Sequence, residues 1–167
     1  GIYVIVRPGP YICSEWTGGA IPARILESGM PVRCDNKAFL GEVERRYFAA
    51  LKEVAPFEYG KGGTVILLQL DNELDFYVCP DPNAYIGKLR DMAKKAGITV
   101  PYFCCAGQYG IEKSGGMTEG VNKTLNCYPD SLDTSFDREL RGYGLLFREK
   151  GEALMVSETN RDHFLLR

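Results

Sequence analysis

The stretch TVILLQLDNEL (64–74) decides how this chain is read. TVILL is an apolar run rich in β-branched residues, the pattern of a strand buried on both faces, and QLDNEL sets an amide and two acids directly behind it. Charged groups are costly in an interior unless they are paired or at work. A strand over 64–70 whose polar end opens into a pocket reconciles the two halves.

The same pattern recurs on both sides. IYVIV (2–6) is a buried-strand run closed by RPGPYICSEW; VPYFCC (100–105), TLNCY (124–128) and ALMVSE (153–158) read as three more strands, the last ending in an acid. Between them lie amphipathic stretches. DNKAFLGEVERRYFAALKEV (35–54) sets Phe39, Val43, Tyr47, Leu51 and Val54 at helical spacing, with Asp35 and Asn36 where an N-cap belongs. DPNAYIGKLRDMAKKAG (81–97) has Asp81 as cap, Pro82 in the first turn and Gly97 as terminator. DTSFDRELRGYGLLFREKG (133–151) reads as a helix weakened by Gly142 and Gly144. Repeated strand, loop, helix, strand predicts parallel pairing and an α/β fold, one domain over 1–167.

Two α/β architectures compete. A doubly wound sheet that binds a nucleotide carries a glycine-rich turn after its first strand. Here that turn is RPGPYICSEW, whose prolines remove backbone donors that a phosphate needs. Lys61-Gly-Gly-Thr64 looks a little like a phosphate loop, but it precedes its strand and lacks the spacing. In a (β/α)8 barrel, polar residues gather at the C-terminal ends of the strands. RPGPYICSEW, DNE and SETN all follow that rule, so the barrel is the expectation.

Composition narrows the partners. The 167 residues are 45% hydrophobic and 25% charged, with 20 basic and 22 acidic side chains and a net charge of −2. That balance predicts no nucleic-acid partner and no anionic membrane surface. No apolar run is long enough for a membrane span. Six cysteines without a CxxC pair, and the single His163, predict free thiols, no structural zinc and no metal site. The chain opens GIYVIVRPGP, neither a start nor a signal peptide; it reads as the middle of a gene and leaves extracellular, periplasmic, lysosomal and cytoplasmic locations open. Asn122-Lys-Thr124 matches a glycosylation sequon, meaningful only in a secreted eukaryotic protein.

The chemistry rests on two acids. Glu73 follows the strand 64–70, and Glu158 ends the strand 153–158, a separation that fits three βα units. In a parallel barrel both would face the same mouth, and two carboxylates across a pocket are the minimal equipment for cleaving a glycosidic bond. One must be protonated to serve the leaving oxygen; the other must be ionised. Asn72 adds no charge beside Glu73 and leaves burial free to raise its pKa, which suits an acid/base. Arg161 lies close in sequence to Glu158 and would favour its ionised form. The bland alternative is that both glutamates are solvated strand ends.

RPGPYICSEWTGGAIPARIL, then GGTVILLQLDNE, then LMVSE, resembles the catalytic barrel of glycoside hydrolase family 35, the retaining β-galactosidases. The likeness runs from Gly1 to about Asn160. It implies a partial TIM (β/α)8 barrel, approximately strands 3 to 7, lacking the first two strands and the last. By position it implies that Glu73 is the acid/base, Glu158 the nucleophile, and Asn72 a ligand of the sugar near its 2-hydroxyl. It also implies a sugar subsite lined by Tyr11, Cys13, Ser14 and Glu15, with Trp16 as an apolar wall, although packing is the stronger reading of Trp16. The implied substrate is a terminal β-linked sugar, a β-D-galactoside first, in an oligosaccharide or simple glycoside, with no cofactor.

The departures are Ser14 for alanine, Asp71 for glutamate, Leu74-Asp75 for Tyr-Gly, Arg24 for tryptophan, and Thr159-Asn160-Arg161-Asp162 after the nucleophile position. They bear on the sugar and leaving group, and keep open an exo-β-glucosaminidase, another retaining clan relative, or an inactive fragment or sugar-binding pseudo-enzyme. With three barrel strands missing, the isolated chain is expected to aggregate. Tyr128 reads as core, Asn126 as a residue that could reach the mouth, Asp71 as a strand-end partner, Asp75 as a solvated acid, and Arg24, Lys94 and Lys95 as surface or ion-pair residues.

Overall fold

The computed structural model describes residues 1–107, 110–126 and 155–159. The helix expected over 133–151 lies outside them, as do Cys127, Tyr128, Arg161 and His163.

Five parallel strands form one sheet: β1 (Val4–Val6), β2 (Val65–Gln69), β3 (Tyr102–Ala106), β4 (Val121–Asn126) and β5 (Val156–Glu158). Their spatial order is their chain order. That order separates the two architectures, because a doubly wound sheet reverses direction part-way and a barrel wall never does. The strands curl as part of a (β/α)8 barrel. The register runs Val6 to Leu68, Leu68 to Tyr102, Tyr102 to Val121 and Leu125 to Val156, so the C-terminal ends gather on one rim.

Two long helices cover the outer face. In α2 (Lys37–Val54) the Asn36 side chain accepts from the amides of Ala38 and Phe39, satisfying two donors that have no partner within the helix. In α3 (Pro82–Lys95) the Asp81 carboxylate accepts from the Ala84 amide, and Gly97 ends the turn at φ +92°. Phe39, Val43, Tyr47 and Leu51 of α2 and Tyr85, Ile86 and Leu89 of α3 are buried with Leu68, Leu70, Tyr102 and Cys104 of the sheet, one core between helices and strands. A short helix, α1 (Ala23–Glu27), was not expected from the sequence; it follows the left-handed turn at Gly18 and Gly19.

Two expectations are corrected. IYVIV is not buried on both faces: Ile2 is 84% exposed, and Tyr3, Val4 and Ile5 are exposed with it. Among the described strands β1 stands at the edge of the sheet, with β2 as its neighbour, which leaves much of its apolar surface exposed. The fourth strand begins at Val121 rather than Thr124, because Asn122 and Lys123 extend the ladder with β3 despite their polarity. Arg24 and Lys95 form surface ion pairs with Glu42 and Glu44, as expected. None of the helices among the described residues is long and apolar enough to cross a membrane.

Candidate active site

Each strand end delivers one polar side chain to the rim. Arg7 follows β1, Gln69 ends β2, Cys105 stands next to last in β3, Asn126 ends β4 and Glu158 ends β5. They form one network. The Arg7 guanidinium donates from Nε to Gln69 Oε1 at 2.9 Å and from Nη2 to Glu158 Oε2 at 2.8 Å. Gln69 passes the chain on from Nε2 to Asn72 Oδ1 at 3.0 Å. Asn126 donates from Nδ2 to Glu73 Oε1 at 2.9 Å, while Ser157 Oγ donates to Asn126 Oδ1 at 2.8 Å. With its NH2 turned to Glu73 and its oxygen to the Ser157 hydroxyl, Asn126 has a partner at both ends of the amide.

Glu73 sits on a strained turn. Beyond Gln69 the chain breaks out of the sheet, with Asp71 at φ +58° and Glu73 at φ +44°, both left-handed and neither glycine. Strain of this kind persists only where surrounding contacts over-determine it. Here Arg33 supplies them: its Nη2 lies 3.3 Å from Asp71 Oδ1 and also donates to the Asn72 carbonyl. Tyr85 Oη donates to Asp71 Oδ2 at 2.8 Å, and the Asp71 amide donates to the Gly9 carbonyl at 3.1 Å. The Glu73 amide points at Cys105 Sγ, 3.3 Å away.

Electrostatically the two acids differ. Burial pushes the Glu73 carboxyl above the ordinary glutamate range; the Asn126 hydrogen bond opposes this, the negative charges of Glu158 and Asp75 add to it, and Arg7 opposes it. Glu158 instead holds an ion pair with Arg7, both side chains partly exposed. Desolvation pushes the Cys105 thiol up to about 12, which keeps it a neutral hydrogen-bonding group in the network.

A family model, Glycosyl hydrolases family 35, matches residues 1–164. The chain belongs to this family. Its relatives include human "Beta-galactosidase-1-like protein 2", 35% identical over 127 residues that cover 75% of this chain and 19% of the relative. The "Beta-galactosidase" of Xanthomonas manihotis is 30% identical over 142 residues, 84% of this chain and 23% of the relative. "Beta-galactosidase A" of Aspergillus niger is 33% identical over 143 residues, 82% of this chain and 14% of the relative. The chain thus spans about a fifth of the length of the curated relatives it matches.

Within this family 35 barrel wall, the site residues read from sequence are distributed unevenly. Glu73, Asn72 and Glu158 share the network just described. Asn72 is 2% exposed, with its Oδ1 held by Gln69 and its Nδ2 3.4 Å from Glu73 Oε2. Tyr11 stands beside them: burial raises its hydroxyl pKa, followed by a hydrogen bond to Cys13, and it feels the charges of Arg33 and Glu73. Cys13, Ser14 and Glu15 occupy three consecutive left-handed positions, at φ +63°, +54° and +46°, and Ser14 and Glu15 are exposed. Gly19 permits this loop to fold back, because a Cβ there would meet the Tyr11 ring at 1.9 Å.

Two more readings are corrected. Trp16 does not pack; it is 72% exposed. Asp75 is not solvated; it is 5% exposed, and both its oxygens accept from the Gly107 amide, at 2.9 and 3.1 Å. The sequence reading assigned no individual site role to Arg7, Gln69, Cys105, Ser157 or Arg33. For the first three the signal was present: each lies at the C-terminal end of a strand, the criterion that picked out Glu73 and Glu158.

Proposed function

We propose that the protein is a retaining exo-β-glycosidase acting on terminal β-D-galactosides, with Glu73 as acid/base and Glu158 as nucleophile. The observation that carries this reading is the unequal environment of the two acids on one rim. Glu73 is desolvated with a raised pKa and holds a proton at pH values where an ordinary glutamate has lost it. Glu158 faces the Arg7 cation, the complement an anionic nucleophile needs. Family membership and the names of the relatives support the β-galactoside as substrate.

The chemistry is a double displacement. Glu158 attacks the anomeric carbon as the glycosidic C–O bond breaks, and Glu73 transfers its proton to the departing oxygen. The products of this half are a glycosyl ester on Glu158 and a free alcohol. Glu73, now ionised, takes a proton from water as that water attacks the same carbon, and the Glu158 carboxylate leaves. Asn126 bonds the Glu73 carboxylate that exists between the two halves, so it steadies the intermediate state and restrains the rise in pKa. Arg7 keeps its place beside Glu158 through Gln69.

The test is hydrolysis of aryl β-D-galactosides by the intact protein, against matched β-glucosaminides and β-glucans, with the first-formed anomer read by proton NMR. Release of β-galactose first supports the reading; first release of the α anomer, or turnover of only the other sugars, overturns it.

A further inference from the structure

We infer that Cys105 is a positioning residue for the proton donor, its thiol seating the Glu73 backbone and the Asn72 side chain against the end of β3. The inference rests on the proposed function, which makes Glu73 the acid/base, and adds a buried group that acts only through its neighbours.

Two adjacent cysteines near the end of β3 face opposite ways. Cys104 joins the core between helices and sheet, so the alternation of a strand turns Cys105 to the inner face, where it is 1% exposed. There one sulfur atom meets four polar groups. The Glu73 amide lies 3.3 Å from Sγ, Gln69 Nε2 3.0 Å, Asn72 Oδ1 3.4 Å and Asn126 Nδ2 3.7 Å. The polarity of these contacts follows from Arg7. A guanidinium only donates, so the Gln69 atom that meets Arg7 Nε is the carbonyl oxygen, and the NH2 turns to Asn72 and Cys105. The Asn72 atom receiving that NH2 is then its oxygen. A backbone amide also only donates, so the thiol accepts from Gln69 and Glu73 and sends its one hydrogen to Asn72 Oδ1. Desolvation, which pushes the thiol up to about 12, keeps that hydrogen in place.

The turn is therefore held from two sides. Arg33 and Tyr85 grip its first half through the Asp71 carboxylate. Cys105 grips the second half, receiving the Glu73 amide itself, where the left-handed φ of +44° needs support. The consequence reaches the carboxyl group. With Oδ1 engaged by Gln69 and Cys105, Asn72 directs Nδ2 toward Glu73 Oε2, 3.4 Å away. Asn126 Nδ2, 2.9 Å from Glu73 Oε1, leans on the same sulfur. Both amides that face the Glu73 oxygens thus rest on Cys105. Displacing a reacting group by about 1 Å costs about 10²-fold in rate, so a loose seat is felt in the chemistry. Sulfur is large and polarisable, and it fills contacts of 3.0 to 3.7 Å that a hydroxyl oxygen would leave slack.

The test is the leaving-group dependence of kcat/KM for aryl β-D-galactosides, in the intact protein and in Cys105→Val, Cys105→Ala and Cys105→Ser. Dinitrophenolate departs without a proton; phenolate needs one. General acid catalysis is worth about 10²–10⁴-fold, so Cys105→Val and Cys105→Ala should lose about tenfold more on the phenyl than on the dinitrophenyl galactoside. Cys105→Ser keeps a donor and an acceptor and should hold the ratio of the two within about threefold of wild type. A cysteine that only fills space lowers both substrates by one factor, so a ratio unchanged within about twofold in the two apolar variants overturns the seat. A serine variant as impaired as Cys105→Val overturns it too, because volume would then decide. The second readout needs no Cys105 variant. An infrared S–H stretch should shift as Glu73 gains and loses its proton, and the shift should vanish in Glu73→Gln; S–H bands that stay fixed through a pH series of the wild type contradict the seat. A wild type that hydrolyses no member of the series overturns the proposed function instead.

Discussion

Replacing Arg33 by methionine is expected to destabilise the barrel wall by about 4 kcal/mol. Arg33 is 4% exposed and its partner Asp71 1%, so the pair is buried in full. Removing one partner of a buried ion pair leaves an uncompensated charge and costs about 3–5 kcal/mol. Asp71 keeps two donors, Tyr85 Oη and the Asn72 amide, each at 2.8 Å, which places its share near the lower bound. The Asn72 carbonyl loses its Nη2 donor as well, adding about 1 kcal/mol. Cation–π contact with Tyr11, 4.1 Å from the ring centroid, goes too, but methionine retains much of that packing. Neutralising the partner should recover part of the loss: Arg33→Met with Asp71→Asn is expected to be about 2 kcal/mol more stable than the sum of the single changes. Hydrogen exchange of the β2 and β3 amides in the intact protein measures this locally. A loss below about 1 kcal/mol in Arg33→Met, or strict additivity in the double variant, refutes the assignment of Arg33 as the anchor of the turn.

Three further outcomes follow from single contacts. Asn126→Leu removes the hydrogen bond that restrains the Glu73 pKa, so the alkaline limb of kcat/KM, set by loss of the Glu73 proton, should move to higher pH as the rate falls; an unmoved limb would separate Asn126 from Glu73. Because Glu73 binds its proton more tightly folded than unfolded, it subtracts stability as pH rises from the ordinary glutamate value through its raised one. Glu73→Gln should flatten that slope in a pH series of thermal melts, and a slope left intact would place its origin elsewhere. Asn36→Ala should cost about 1 kcal/mol through the lost cap of α2, without altering kcat, and a change below a few tenths would mean the cap is replaced by water.

The legible part of this chain was its outline. Strand alternation and the Asn36 and Asp81 caps depend on neighbours in sequence, so they could be read from spacing alone. Glu73 and Glu158 could be picked out as candidates because acids rarely terminate apolar strands unpaired. What stayed hidden depends on contacts across the sheet. Arg161, read as a neighbour that favours the ionised Glu158, lies outside the described residues; Arg7, 151 residues from Glu158, is a partner that no local pattern announced, because parallel register brings the ends of β1 and β5 onto one rim. Asp75 looked like a solvated acid because nothing nearby in sequence could bury it; the Gly107 amide, 32 residues on, does so. The apolarity of IYVIV was correctly read as strand and wrongly as burial, since burial depends on what flanks a strand and not on its own composition.

The central claim is that Glu158 forms the covalent bond and Glu73 serves the leaving group. It is tested most directly by reacting the intact protein with 2-deoxy-2-fluoro-β-D-galactosyl fluoride and mapping the labelled peptide by mass spectrometry. The account predicts one fluorogalactosyl group, on Glu158, formed also in Glu73→Ala because fluoride departs without a proton. A label on Glu73 or on any other residue, or labelling that persists in Glu158→Gln, contradicts it.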